Sequence, residues 1–122
     1  MIKRKRKRRI KSHGELEICK FLDKYKIKYI REAKFDTCRS LKNRMLRFDF
    51  YLQEYNLAIE YQGQHHYYPI SNSSRAKYVH NKTKLHDTIK KKFCLDNNIF
   101  LLEIGYLDKS NISLILENLL KK

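Results

Sequence analysis

The stretch Met45-Leu46-Arg47-Phe48-Asp49-Phe50-Tyr51-Leu52, followed after Gln53-Glu54-Tyr55-Asn56 by Leu57-Ala58-Ile59-Glu60-Tyr61-Gln62, decides the fold. Both halves read as strands, and each carries an acid where a strand should carry an apolar residue. With Gln53 to Asn56 as the loop of a hairpin, Leu52 pairs with Leu57. Asp49 then faces Glu60 and Arg47 faces Gln62, all on one side of the sheet. Directly opposed side chains have Cβ atoms about 4.5–5.5 Å apart, and two carboxylates that close repel unless a cation sits between them. The pattern is that of a divalent-cation site. The competing reading is a pair of edge-strand charges facing water, which the poor strand propensity of an Asp between two Phe residues disfavours. A one-residue bulge would shift the register and separate the acids.

Upstream of the hairpin, Ser12-His13-Gly14-Glu15 opens a first helix, with Ser12 as N-cap and Glu15 at the capping-box position. Leu16, Cys19, Leu22 and Tyr25 form its apolar stripe, and a first strand follows around Lys28 to Phe35. Downstream, the polar segment from Gly63 to Asn81, rich in Ser, Asn, His and Tyr, reads as a loop over a functional surface. A second helix from about Lys82 to Asn97 places Leu85, Ile89 and Phe93 on its buried side. Ile99-Phe100-Leu101-Leu102-Glu103-Ile104 reads as a strand covered on both faces and stopped by Gly105. A third helix from about Asn111 repeats apolar residues at Ile112, Ile115, Leu116, Leu119 and Leu120. The expected order is α-β-β-β-α-β-α.

The chain has 122 residues, enough for a single core and one domain over residues 12–122. Lys and Arg number 28 against 13 acids, a net charge of +15 that points to a polyanionic partner, with nucleic acid the first candidate. Residues 1–11 form a basic arm in which Lys3, Arg4, Lys5, Arg6, Lys7, Arg8 and Arg9 are expected to order on phosphates or to serve as an import signal. No apolar run of ~18–20 residues and no signal-peptide pattern is found, so no membrane partner is expected and the chain reads as soluble and intracellular. Cys19, Cys38 and Cys94 are widely spaced and form no Cys-x-x-Cys pair, which argues against a disulfide framework or zinc ribbon. Cys19 and Cys94 read as reduced core residues.

Gly14-Glu15, Phe48-Asp49-Phe50-Tyr51-Leu52, Ile59-Glu60-Tyr61-Gln62-Gly63-Gln64-His65-His66-Tyr67, His86-Asp87 and Leu101-Leu102-Glu103-Ile104 together resemble a small PD-(D/E)XK nuclease. The resemblance is to the very-short-patch-repair-like branch that includes the EDxHD homing endonucleases, and it covers about Ser12 to Tyr106. It implies an α/β (α+β) fold with a restriction-endonuclease-like αβββαβ core and a C-terminal helix. It also implies that Asp49 and Glu60 bind Mg²⁺, with Mn²⁺ able to substitute, and that Gln62 stands where the family usually has Lys. An amide can position a water but lacks the Lys charge. The same resemblance carries over Glu15 on the first helix, His66 beyond the third strand as proton-transfer group, and Asp87 on the second helix. Each has a structural competitor: Glu15 as capping residue, Asp87 as the partner of Lys91 four residues on.

His65 and Gln64 read as backbone or phosphate contacts, and His80 and His86 as surface residues. Tyr67, Tyr68, Arg75, Lys77 and Tyr78 interleave aromatic and basic side chains, a composition that suits stacking on bases and pairing with phosphates. Arg47, beside the acids, joins this cationic set. The resemblance therefore implies a metal-dependent DNA endonuclease that hydrolyses a phosphodiester with a metal-activated water. A branched-DNA resolvase of the same fold, which would need a homodimer to supply two active sites, is the nearest alternative. A DNA-binding module that has lost its chemistry with the family Lys is the other.

Overall fold

The elements follow in the expected order: α1 (His13–Lys24), β1 (Ile30–Arg39), β2 (Met45–Leu52), β3 (Leu57–Gln62), α2 (Ser74–Asp96), β4 (Phe100–Gly105) and α3 (Ile112–Leu120). They come from a computed structural model that describes residues 12–64 and 67–120. The basic arm with Lys3 to Arg9, and His65 and His66, lie outside the described residues. The protein is thus of mixed α+β class, with one sheet in the order β1-β2-β3-β4. The first three strands form an antiparallel meander, and β4 returns parallel to β3 after the α2 crossover.

The hairpin closes as its loop length requires. Leu52 pairs with Leu57, Tyr51 with Ala58 and Phe50 with Ile59. Asn56 supplies the left-handed residue at φ 48°, a conformation Asn tolerates, and accepts a hydrogen bond from the Tyr51 hydroxyl at 2.6 Å.

Alternation along β3 divides the apolar residues between two layers. Leu57, Ile59 and Tyr61 join Ile18 and Leu22 of α1, Phe50 and Leu52 of β2, Ile104 of β4, and Ile112 and Leu116 of α3. Ala58 lies on the opposite side with Cys38, Phe48 and Cys94, where Ile89 and Phe93 of α2 cover it. Each fully buried Leu, Ile or Phe contributes roughly 1.5–3 kcal/mol by leaving water. All three cysteines are free and buried.

Several features differ from expectation, among them the first strand, which spans Ile30–Arg39 and not Lys28 to Phe35. The Ser12 hydroxyl caps α1 by accepting the Glu15 N–H at 3.1 Å, but the buried face is Ile18, Cys19, Phe21 and Leu22, with Leu16 and Tyr25 exposed. The cause is Gly14, where a Cβ would stand 2.2 Å from the Tyr61 ring; this close approach fixes which side of α1 meets the sheet. The helix α2 begins at Ser74 rather than near Lys82, because the Ser73 hydroxyl accepts the Ala76 N–H at 3.1 Å. Arg75 and Lys77 are therefore helical, not loop residues. This first half of α2 buries no residue fully and Leu85 is exposed, so there was no apolar period to announce it. Finally, β4 is an edge strand with Phe100 exposed, so it is covered less completely than its apolar run suggests.

Candidate metal and nucleic-acid site on the α2 face

The strict alternation of β2 breaks at Asp49. Phe48 packs against Phe35 and Phe93 on the α2 side, whereas Phe50, two residues on, packs with the α1 and α3 layer. Opposite the break, Glu32 of β1 lies between the pairs Arg31–Phe50 and Ala33–Phe48 and adopts φ 52°, a left-handed conformation uncommon for Glu.

The pairing of β2 with β3 also stops at Phe50–Ile59, and the two acids fill the gap that follows. Tyr61 N–H donates to Asp49 Oδ2 at 2.7 Å, and Asp49 N–H donates to Glu60 Oε2 at 3.4 Å. Each carboxylate thus accepts the amide that a continuous ladder would have satisfied. The expected juxtaposition of Asp49 and Glu60 is present. The expected pairing of Arg47 with Gln62 is not: Arg47 lies 3.8 Å from Glu32, and the Gln62 amide donates to Glu103 on β4. The splay at Asp49 removes the register that would have brought them together.

Glu60 is 7% exposed and forms an ion pair and hydrogen bond with Lys90 of α2. Burial first, and the Asp49 charge second, outweigh this ammonium and push the Glu60 carboxyl up to about 8. Lys90 supplies a positive charge at the carboxylate pair, the charge that Gln62 lacks. Its ammonium also sits 5.4 Å from the centre of the Phe48 ring. Glu103, in register with Glu60, extends the acidic row across a third strand and lies 3.5 Å from Lys91. Gln62 is held from both ends, since its carbonyl accepts from the Tyr67 hydroxyl at 3.2 Å. Gly105 makes room for that hydroxyl, where a Cβ would come within 2.5 Å.

Asp49 and Lys90 line a cleft of about 780 Å³ between the β1–β2 turn and α2. Its walls carry Lys42, Arg44, Arg47, Lys82, His86 and Tyr78. His86, expected at the surface, lines this cleft; partial burial, Lys82 and Lys90 lower its pKa, which favours the neutral imidazole.

The remaining expected residues are dispersed. Glu15 lies 3.4 Å from Arg31 and acts electrostatically on Tyr61, on the α1 side of the sheet. Asp87 acts electrostatically on Tyr67 and on His86, and its expected partner Lys91 reaches Glu103. Tyr68 is exposed, and Arg75 lines a shallow apolar hollow with Pro69, Ile70 and Val79 at the free end of α2. Lys90 and Glu103 were missed. The signal for Lys90 was its place four residues before Cys94, whose apolar character marks an inward face of the helix.

Asp49 and Glu60 suit a hard divalent cation such as Mg²⁺, which takes oxygen donors and is commonly held by one or two carboxylates plus water and phosphate. Among the described residues no larger cluster of His, Cys, Asp and Glu is arranged as a ready-made metal cage. No described helix is long and apolar enough to cross a membrane.

No family model matches the chain, and no solved structure matches it. It is 34% identical over 76 residues to "Uncharacterized protein 307L" of Invertebrate iridescent virus 6. That match covers 62% of this chain and 38% of the viral protein, so the chain spans well under half of its relative's length.

Proposed function

We propose that the protein is a metal-dependent endonuclease acting on DNA, with its active site at the splay between β2 and β3. The observation that carries this reading is the Asp49–Glu60 pair, in which half-buried Asp49 lines a cationic cleft and buried Glu60 lies directly behind it. Crowded carboxylates repel a phosphodiester as well as each other, so their use at the bottom of a phosphate-attracting groove implies a cation between acid and substrate.

In this reading Asp49 and Glu60 hold Mg²⁺, or Mn²⁺ in its place. When bound, the cation supplies Lewis acidity that activates the attacking water and offsets the charge of the transition state. Lys42, Arg44, Arg47 and Lys82 bind phosphates along the cleft and fix the strand without reading bases. The Gln62 amide, clamped by Glu103 and Tyr67, orients the water. Water oxygen bonds to phosphorus as the bond to the 3′ oxygen breaks, and a neutral imidazole takes or returns the proton. His66 is the candidate from the family resemblance, and His86 is the candidate from the cleft.

The test is nicking of supercoiled plasmid with Mg²⁺, with Mn²⁺ and with chelator, followed by the same assay on linear, mismatched and branched duplexes. Cation-dependent nicking supports the reading, and preference for branched DNA would make the enzyme a resolvase. DNA binding without nicking under any divalent cation would favour the second reading, a binding module. Its warrant is the Lys90–Glu60 pair, in which the protein's own side chain already occupies one of the two acids a cation would need.

A further inference from the structure

We propose that Leu41, at the tip of the β1–β2 turn, is a wedge that enters the base stack of a bound duplex. This inference rests on the nuclease reading and adds the manner in which the substrate is deformed. A single exposed leucine is ordinary on a protein surface. This one is distinguished by how it is held and by what surrounds it.

Leu41 is 82% exposed, yet the backbone carrying it is closely braced. Ser40 N–H donates to Arg44 O and Asn43 N–H to Ser40 O, both at 2.9 Å. Asn43 takes the left-handed conformation at φ 63°. The Arg39 guanidinium ties the turn to the strand by donating to Asp36 O at 2.7 Å, and to Asp36 Oδ1 and Asn43 O at 2.9 Å. An apolar side chain is thereby presented to solvent on a preorganised support, which lowers the ordering cost of insertion.

Lys42 and Arg44, which follow it in the turn, are exposed cations, and both line with Leu41 the cleft that leads to Asp49. An apolar tip beside cations is the arrangement by which Leu, Ile, Phe or Met wedges unstack base steps while neighbouring charges hold the phosphates. A second copy of this chain is a poor occupant, because it would set Lys42 and Arg44 against like charges. The partner that satisfies both the apolar tip and its cationic shoulders is a duplex with phosphates outside and stacked bases inside.

The position of the wedge sets its register on the DNA. From Met45 to Asp49 the strand rises about 3.3 Å per residue, and with the turn the tip stands roughly 15–20 Å from the acids. At ~3.4 Å per base step this places the unstacked step about five steps from the phosphate that is cut. Opening a step there bends the duplex and lowers the cost of drawing the scissile strand onto the cleft floor.

The test uses the full chain without divalent cation, so that the duplex stays intact. Short duplexes carrying 2-aminopurine at successive positions report unstacking by fluorescence, while anisotropy of a labelled end reports binding. The wild type should raise 2-aminopurine fluorescence several-fold on saturation. Leu41→Ala should bind with an unchanged salt slope but lose the rise, and Leu41→Met should keep it. After Mg²⁺ addition, the responsive position should map about five steps from the cut. A rise retained by Leu41→Ala, or no rise with wild type on a duplex shown to be bound, overturns the wedge and leaves the nuclease reading standing. No binding of the wild type to any duplex overturns both. Because Leu41 touches solvent, an unchanged melting temperature for Leu41→Ala confirms that the fold is not what the variant altered.

Discussion

The two faces of the sheet use the same strands for opposite purposes. Toward α1 and α3, alternate residues are Leu, Ile, Phe and Tyr, and they pack to an exclusion of water that leaves Ile18, Leu22, Phe50 and Ile59 with no exposed surface. Toward α2, the strands carry Phe48 and Ala58 but also Asp49, Glu60 and Glu103. One buried carboxylate there depends on Lys90, and half of α2 extends beyond any core. A buried charge pair is a poor source of stability, because desolvation consumes much of the attraction. The first face therefore holds the fold, and the second is arranged around charge. Substitutions should separate accordingly.

The largest separation is expected at the acids. Asp49→Asn and Glu60→Gln should each lower plasmid nicking by at least ~10³-fold, since loss of one ligand forfeits several kcal/mol of transition-state stabilisation. Stability should stay near wild type, and DNA affinity should hold or improve as a negative charge leaves the groove. Nicking by either variant at the wild-type rate would remove the α2 face from catalysis. The reverse is expected at Phe50→Ala on the other face. Deleting a fully buried ring should cost about 3–5 kcal/mol in urea denaturation, with the remaining folded protein still able to nick. A smaller loss, about 1–3 kcal/mol, is expected for Gly14→Ala, where the new methyl meets the Tyr61 ring and α1 must move off the sheet. An unchanged midpoint would mean that α1 is not seated by that contact.

The two faces also differed in how far the sequence disclosed them. The α1 and α3 face is written in residues whose period is visible, and the hairpin register followed from the loop length through Leu52–Leu57. The juxtaposition of Asp49 and Glu60 followed from the same register. What the period could not convey was its own interruption. Phe48 and Phe50 look equivalent in sequence, yet the left-handed Glu32 and the splay at Asp49 send them to different layers. Lys90 was hidden for a related reason. On a helix dense with lysines, charge alone does not show which ammonium turns inward, and only the neighbouring Cys94 and Phe93 mark that side. Ser74 to Asn81 was invisible as helix because its cap and propensity act without a buried stripe.

The effect that is smallest near pH 5, and the one that bears most directly on how the α2 face is held, concerns Lys90→Met. The folded-state pKa of Glu60 lies above the ordinary carboxylate value, so folding takes up a proton on this group. The stability linked to that uptake is complete below about pH 4.5 and is lost as pH rises through about 8. Replacing Lys90 removes the ammonium that draws Glu60 downward, and the carboxyl should stay neutral to still higher pH. Near about pH 5 both proteins hold a neutral Glu60, so the variant should lose only a hydrogen bond, about 1 kcal/mol, with part restored by the apolar Met stem against Phe48. Above about pH 8 the wild-type carboxylate is ionised beside its ammonium and the variant's has no such partner, so the difference should widen toward ~3 kcal/mol. Urea denaturation at intervals between those limits measures it. Glu60→Gln, which cannot titrate, should flatten the wild-type decline over the same window. A Lys90→Met deficit that stays constant with pH would mean that Glu60 keeps one charge state throughout, and the α2 face would then be fixed by packing, as the α1 face is.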